Sequence, residues 1–280
     1  MGYLIKFLRK ADRILWNSKK SVVEKNIKFK DIHKGETCLI FGNAGSLKYY
    51  DFSALPNVPA IGCSYTLTDN RTNHLNMQYC VISDPYLLYP IRHSKAQHKL
   101  QRNMIGPIMR KLILTNKGTT FFTSLSNYYG FFKTPKNLNF FYHFGDKTST
   151  SCDLGGKFAI SIGALHIMIG VAKYLGFSKA ILLGCDYLGS PKMEGHFYAY
   201  PAPFIGIDNK DYRDSIVRIA EGIEILCVFP KGIKSPDFES VCFEEYFNSP
   251  EIYQENHEFI DHEYLKMMHK CLPYDQICLY

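Results

Sequence analysis

The sequence predicts an α/β protein with a Rossmann-like, mostly parallel sheet, helices on both faces and a lid-like insertion. The first observation is a short apolar run, 38–41, that stops abruptly at the glycine turn, residues 42–46. The second is a series of further short apolar runs that end in small or polar residues. The third is a long apolar helix that precedes one of these runs. Buried strands alternating with helices are typical of parallel sheets.

The bulk composition describes a globular protein. With 280 residues, the chain can form one large domain or two small ones. Nine scattered cysteines without a Cys-x-x-Cys pair indicate free thiols in a reducing cytoplasm, not a disulfide framework or a zinc site. The net charge of +7 is not gathered into a basic stripe with interleaved aromatic residues, so a nucleic-acid partner has little support.

The N-terminal segment is basic and amphipathic, and residues 3–25 are predicted to form one helix. It lacks the features of a cleaved secretory signal. Two interpretations stay open: a peripheral anchor on the anionic inner membrane, or a helix packed on the domain or on a partner. The predicted organisation is this segment (1–34), a Rossmann-like domain (35–247) with an insertion or lid at about 86–150, and a C-terminal tail (248–280).

Polar residues follow several predicted strands at the point where each strand ends. Asn43, Ser64 and Asp84 follow the first three apolar runs, and Asp186 follows the later run 180–183. Ligands of open α/β sheets bind outside the carboxyl ends of the strands. We therefore expect these side chains to converge on one crevice.

The glycine turn is the first candidate for a ligand-binding element. A helix predicted from about Leu47 would present free backbone N–H groups and the positive end of its dipole. Such a site would take a phosphate or a nucleotide, although a plain connection between strand and helix is the alternative. The residues expected to hold the ligand there are Gly42, Asn43, Gly45 and Ser46.

The clearest predicted helix covers 155–176, because nearly every position from 158 to 172 is apolar or small. Ser161 and Gly163 at its start would place a second helix N-terminus at the crevice. His166 lies on an apolar face and is interpreted as a core histidine whose ring is hydrogen-bonded.

The loop 194–200 carries the candidate chemistry. It contains one imidazole, His196, and two tyrosine hydroxyls, Tyr198 and Tyr200. Histidine is the natural general base near neutral pH, and a tyrosine hydroxyl can donate to a leaving phosphate without adding charge. A surface loop packed by its own aromatic rings is the alternative.

Three stretches resemble the bacterial sialyltransferases of glycosyltransferase family 42 and their wider relatives, the flagellin nonulosonate transferases and the archaeal hydroxymethylpterin pyrophosphokinase. The stretches are residues 39–47 with 51–56, residues 174–186 and residues 198–200. The resemblance implies an inverting, metal-independent transfer of an acidic sugar from a CMP-activated donor to an acceptor of a bacterial surface glycan. It implies no further cofactor, and the sequence contains no Asp-x-Asp motif.

By position, the resemblance implies that Asn43 and Ser46 hold the nucleotide, that Ser64 and Asp84 stand where the family has Asn, and that Tyr198 steadies the phosphate. The chain departs from the family at Ile207, where the family has the histidine that acts as the general base. His196 is therefore the predicted base, and Tyr187 is a second tyrosine at a shifted position. The expected catalytic residues are His196, Tyr198 and Tyr187, and the expected binding residues are Gly42, Asn43, Gly45, Ser46, Ser64, Asp84, Ser161, Gly163, Asp186 and Tyr200.

Two other functions stay open at this point. A phosphoryl or pyrophosphoryl transferase would use ATP and magnesium, with Asp186 or the set Asp208, Asp211 and Asp214 as metal ligands. Acidic residues at the start of a helix are the commoner explanation for that set, so no metal site is predicted. A nucleotide-binding protein without catalysis is the third alternative. The expected location is the cytoplasm, with peripheral contact to the inner membrane and a homo-oligomer as open alternatives.

Overall fold

The fold is built on a nine-stranded sheet whose strands all run parallel. A computed structural model describes residues 14–88, 105–143, 149–159, 163–199, 204–205 and 210–269. The strands are β1 (Thr37–Phe41), β2 (Ala60–Cys63), β3 (Tyr79–Ile82), β4 (Thr120–Ser124), β5 (Leu138–His143), β6 (Lys157–Phe158), β7 (Lys179–Leu183), β8 (Met193–Glu194), β9 (Phe204–Ile205), β10 (Glu224–Phe229) and β11 (Glu239–Cys242). Of these, β8 and β9 form a separate antiparallel pair.

Helices cover both faces of the sheet. They are α1 (14–23), α2 (Gly106–Thr115), α3 (Ala164–Leu175), α4 (Lys210–Ala220), α5 (Phe243–Phe247), α6 (Asn256–Phe259) and α7 (His262–His269). Successive side chains of a strand point to opposite faces, so Leu39 and Phe41 enter one core while Cys38 and Ile40 enter the other. Residues of α2 and α7 line the first core, and residues of α3 and α4 line the second. The predicted Rossmann-like α/β architecture is confirmed.

The strand order places a topological switch point beside β1. The order is β11-β10-β7-β1-β2-β3-β4-β5-β6, so the chain runs outward from β1 to β6 and then returns to β7 on the other side of β1. The last residues of the two neighbours, Phe41 and Leu183, are register partners. Ligand sites of open α/β sheets lie outside the carboxyl ends of the strands at such a point.

The long apolar helix is shorter than the predicted 155–176, because α3 begins at Ala164. Before it, the Asp153 carboxylate accepts a hydrogen bond from Gly155 N (3.0 Å), and β6 pairs with β5. These contacts draw the preceding residues into a turn and a strand. The helix ends at Leu175, and Gly176, the last residue of the predicted range, caps it with a φ of 94° that favours glycine.

The segment 86–150 is not a separate insertion where the structure describes it. Both β4 and β5 belong to the main sheet, and α2 packs on one of its faces. Polar side chains in these strands can find partners on neighbouring strands; Thr123 Oγ1, for example, donates to Ile82 O on β3 (3.0 Å). Residues 89–104 and 144–148 of the expected lid lie outside the described residues.

The two terminal segments pack on the domain in their described parts. Leu15, Trp16 and Val22 of α1 pack against the first core, and the Trp16 ring stacks on Tyr142 with centroids 4.6 Å apart. This apolar face is therefore engaged by protein, while residues 3–13 lie outside the described residues. At the other end, α6 and α7 bury Phe259 and other apolar side chains in the same core. A search of the described helices finds none with the length and apolar character needed to cross a bilayer.

Candidate functional site

The glycine turn uses its backbone N–H groups within the protein. Gly42 N donates to Leu183 O (2.8 Å), and Ala44 N donates to Gly184 O (3.0 Å). Gly45 N and Ser46 N donate to a loop carbonyl and to a carboxylate that are described below. The expectation that this turn presents free N–H groups is therefore wrong at Gly42, Ala44, Gly45 and Ser46. The turn instead clamps β1 to the end of β7.

The helix predicted from Leu47 is a five-residue 3₁₀-helix, Gly45–Tyr49. A second 3₁₀-helix begins soon afterwards, where the Asp51 carboxylate accepts a hydrogen bond from Ser53 N (2.9 Å). So short an element supplies little of the dipole expected of a full α-helix. Anion binding by a dipole at the glycine turn consequently loses its physical basis.

Asp186 ties the glycine turn to the end of β7. Its two carboxylate oxygens accept hydrogen bonds from Ser46 N (2.9 Å) and from Ser46 Oγ (2.5 Å). Asp186 is only 1% exposed, and its burial raises the pKa of the carboxyl group to about 6 against the lowering effect of the Ser46 hydrogen bonds. Both expected binding residues are thus present at the switch point, and they bind each other.

The loop 195–199 docks onto the glycine turn like an added strand. An antiparallel bridge joins Ala44 and His196. Phe197 N donates to Asn43 O (3.1 Å), and Gly45 N donates to Gly195 O (3.1 Å). Backbone hydrogen bonds therefore join the loop of the candidate base to the glycine turn, although the two are far apart in sequence.

His196 is half-buried with a defined tautomer. Its Nδ1 lies 3.2 Å from Asn43 O. Because a carbonyl oxygen only accepts hydrogen bonds, Nδ1 carries the proton and Nε2 keeps its lone pair. Burial is the main reason that the pKa of this imidazole is lowered from its ordinary value. The ring is therefore neutral at neutral pH and has one basic nitrogen.

Tyr198 forms an aromatic stack at the same loop. Its ring lies 4.9 Å from the His196 ring, nearly parallel at 16°, and 4.8 Å from the Tyr65 ring. Tyr198 is 7% exposed. The stack gives both candidate side chains a fixed orientation.

Tyr187 belongs to a different cluster, at the N-terminus of α3. Tyr212 Oη donates to Tyr187 Oη at 3.4 Å. The N-cap residue of α3, Gly163, makes no side-chain cap hydrogen bond, and a Cβ there would lie 2.5 Å from Tyr212 Oη. Burial raises the pKa of Tyr187 well above its ordinary value and that of Tyr212 to about 12, so both hydroxyls remain protonated donors. Because Tyr212 uses its hydrogen on Tyr187, the Tyr187 hydroxyl is the neutral donor of this pair, and it lies beside the start of α3.

The other expected strand-end residues lie along the same edge of the sheet. Ser64 follows β2, is buried, and has a φ of 42°. Asp84 follows β3, is exposed, and accepts a hydrogen bond at its backbone oxygen from Asn127 Nδ2 (2.9 Å). The Asn43 side chain contacts Thr66, whose Oγ1 donates to Asn43 Oδ1 (3.3 Å).

Sequence reasoning missed Thr66 and Tyr212. Thr66 lies in a 3₁₀-helix, Thr66–Thr68, where the sequence shows no more than a short polar segment. Tyr212 lies in the first turn of α4, and only the fold brings it to Gly163. Two further expected binding residues, Ser161 and Tyr200, lie outside the described residues.

His166 is a core histidine without the expected hydrogen bonds. It is 2% exposed, and within the described part of the chain neither ring nitrogen has a partner. Burial, with smaller effects of His143 and Arg218, lowers its pKa to about 4. Among the residues that the structure describes, no group of three or more His, Cys, Asp or Glu side chains is placed to hold a metal ion.

Comparison with known proteins gives weak structural likenesses. No protein-family model and no curated protein matches the chain. The sialyltransferase CstII from Campylobacter jejuni in complex with cytidine-5'-monophosphate has a TM-score of 0.43 and 15% identity, covering 85% of this chain and 99% of that chain. Its complex with CMP-3FNeuAc has a TM-score of 0.42 and 16% identity, covering 84% and 99%. A complex of sialyltransferase CST-II with a trisaccharide acceptor and CMP has a TM-score of 0.40 and 14% identity, covering 85% and 100%.

Proposed function

We propose that this protein is an inverting glycosyltransferase that moves an acidic sugar from a CMP-activated donor to a glycan acceptor. The observation that carries the proposal is the docking of the loop 195–199 onto the glycine turn at the β1–β7 switch point. This docking places a neutral imidazole where open α/β sheets bind their ligands. The CMP-linked donor follows from the sequence motifs, which resemble those of the family 42 sialyltransferases.

His196 would act as the general base. Its Nε2 would take the proton of an acceptor hydroxyl while the hydroxyl oxygen attacks the anomeric carbon of the donor. The bond from that carbon to the phosphate oxygen breaks in the same displacement, and CMP leaves with the electron pair. A single direct displacement inverts the configuration at the anomeric carbon.

Neutral hydroxyl donors would stabilise the departing phosphate. Tyr187 accepts the hydrogen of Tyr212 at the N-terminus of α3 and would donate its own to the phosphate, while Tyr198 lies on the loop that carries the base. Hydrogen-bond donors aimed at developing charge, together with the positive end of a helix, lower the barrier without a metal ion. We therefore propose a metal-independent reaction.

The test is turnover of the His196→Ala variant with a panel of CMP-activated sugars. We expect turnover to fall by about 100-fold or more, the ordinary contribution of a general base. His74→Ala, which removes an exposed histidine, is the matched control and should retain activity. Turnover of His196→Ala equal to that of the wild type would remove His196 from the mechanism.

The magnesium-dependent alternative is less consistent with the site. Both oxygens of Asp186 accept hydrogen bonds from Ser46, which leaves this carboxylate poorly placed as a metal ligand. Binding of CMP and of ATP, each measured with and without magnesium, separates the two enzymes. Tight CMP binding without hydrolysis or transfer of any donor would instead support a nucleotide-binding protein without catalysis.

For the N-terminal segment we propose electrostatic contact with anionic lipid, consistent with a surface-glycan acceptor at the inner membrane. The apolar face of α1 packs on the core, whereas one lysine of α1 and four that follow it are exposed. These are Lys20, Lys25, Lys28, Lys30 and Lys34. Co-sedimentation with anionic vesicles that disappears at high salt would support this contact, and salt-resistant binding would contradict it.

A further inference from the structure

Two buried side chains bind backbone carbonyls of the loop 195–199. Lys48 Nζ donates to Ala199 O (2.7 Å), and Asn256 Nδ2 donates to Tyr198 O (3.0 Å). Lys48 is 0% exposed and Asn256 is 8% exposed. Burying the ammonium group of a lysine costs free energy, and hydrogen bonds such as the one from Lys48 Nζ to Ala199 O offset that cost.

The two side chains come from segments that also bind each other. We define the C-terminal strap as residues 250–260. Its backbone crosses the 3₁₀-helix that carries Lys48, where Ile252 N donates to Tyr49 O (3.0 Å) and Gln254 N donates to Lys48 O (2.8 Å). The strap therefore connects the C-terminal end of the chain to the glycine turn and to the loop of the candidate base.

We propose that Lys48 and Asn256 are positioning residues that set the ring of Tyr198 through its backbone. Each one fixes the direction of a peptide carbonyl, and the two carbonyls belong to consecutive residues. These two carbonyls belong to the peptide planes on either side of Ala199. The two hydrogen bonds therefore restrict φ and ψ of Ala199 and also ψ of Tyr198. The role in turnover rests on the proposed function, whereas the positioning itself does not.

The positioning is tested by hydrogen exchange of the protein without ligand. The amides of Phe197 and Ala199 donate within the site, to Asn43 O and His196 O, and so report the opening of the loop. In Lys48→Met we expect these amides to exchange about tenfold faster, the factor expected for the loss of a charge-assisted hydrogen bond, while those of β1 and β7 keep their rates. Asn256→Leu should behave in the same way and serves as the second test if Lys48→Met does not fold.

The matched control is Lys111→Met. Lys111 binds Glu263 of α7 (2.6 Å), so it also contacts the C-terminal region, but it is part-exposed and does not contact the loop. In Lys111→Met the amides of Phe197 and Ala199 should exchange at the wild-type rate. Unchanged loop protection in both test variants, or an equal rise in exchange throughout the molecule, would overturn the positioning role.

Kinetics then separate this inference from the proposed function. With a CMP-activated donor, both test variants should lower kcat more than they raise KM, because a misplaced Tyr198 affects the departing phosphate more than donor binding. Faster loop exchange in a protein that neither binds CMP nor turns over a donor would uphold the positioning and refute the enzyme. An effect on KM alone would refute the positioning of Tyr198 for turnover.

Discussion

Replacing Asp186 by Asn tests the electrostatics at the switch point. Asp186 is 1% exposed, and within the described part of the chain its carboxylate is hydrogen-bonded by Ser46, through both Ser46 N and Ser46 Oγ. Asn keeps the shape and can still accept from Ser46 N through its amide oxygen, while its NH₂ group can donate to Ser46 Oγ. The variant therefore removes the buried charge with little change in packing.

The magnitude follows from the pKa of Asp186. Its folded-state pKa of about 6 lies above the reference value of 3.8. Because the folded protein binds this proton more tightly than the unfolded chain, the stabilising contribution is fully present below the unfolded pKa and is lost as the pH rises through the folded pKa. A shift of roughly two units corresponds to about 3 kcal/mol. The free energy of unfolding of Asp186→Asn, relative to wild type, should rise by that amount between about pH 4 and pH 8.

The assay is urea unfolding followed by the fluorescence of Trp16, the single tryptophan, at intervals of pH. Subtracting wild type from variant cancels the histidines that both proteins share. Asp51→Asn, which removes an exposed carboxylate from the neighbouring 3₁₀-helix, is the control for loss of an aspartate as such. A pH-independent difference for Asp186→Asn, or one that falls with rising pH, would refute the buried-charge account.

Two further substitutions test the buried His166 and the close approach of the backbones at Gly42 and Gly184. The folded-state pKa of His166 is about 4, below its reference value of 6.5, so its stabilising contribution is present above the unfolded pKa and is lost as the pH falls. The free energy of unfolding, measured with urea from pH 7 to pH 4, should therefore fall by about 3 kcal/mol less in His166→Leu than in the wild type. An equal fall in both proteins would contradict this. In Gly42→Ala the added Cβ would lie 2.0 Å from Gly184 O, so β1 and β7 must separate, at a cost of about 3 kcal/mol. Gly118→Ala, where a Cβ meets nothing within 4 Å, should leave the melting temperature nearly unchanged, and equal effects of the two substitutions would disprove the close approach.

Strands of the parallel sheet that are buried on both faces were predictable from sequence. The apolar runs that become β1, β2, β3, β7 and β10 are continuous, as expected when both faces of a strand are covered. The runs that become β4 and β5 are interrupted by Thr, Ser and Asn. Their polar side chains find partners only in the folded sheet, as Thr123 does at Ile82 O, so a hydropathy pattern underrates them.

The position of the candidate site was predictable, but its bonding was not. The rule that ligands bind at the ends of parallel strands identifies Asn43 and Asp186 from local sequence alone. Whether Asp186 faces a ligand or Ser46 depends on a contact between residues 140 positions apart. Likewise, the partner of Tyr187 is set by the packing of α4 against α3, which no local pattern reports.

The bonding of the glycine turn changes where an anionic group can be held. Four amides that a phosphate would need, at positions 42, 44, 45 and 46, already donate to protein acceptors. On the proposed function, the donor phosphate must therefore rely on the other groups at this edge, which are the start of α3 at Gly163 and the hydroxyls of Tyr187 and Tyr198. The Tyr187 hydroxyl stays a neutral, protonated donor because burial raises its pKa well above the ordinary value. The glycine turn then acts as the scaffold that orients His196, and recognition of the leaving group passes to the neighbouring α3–α4 side of the crevice.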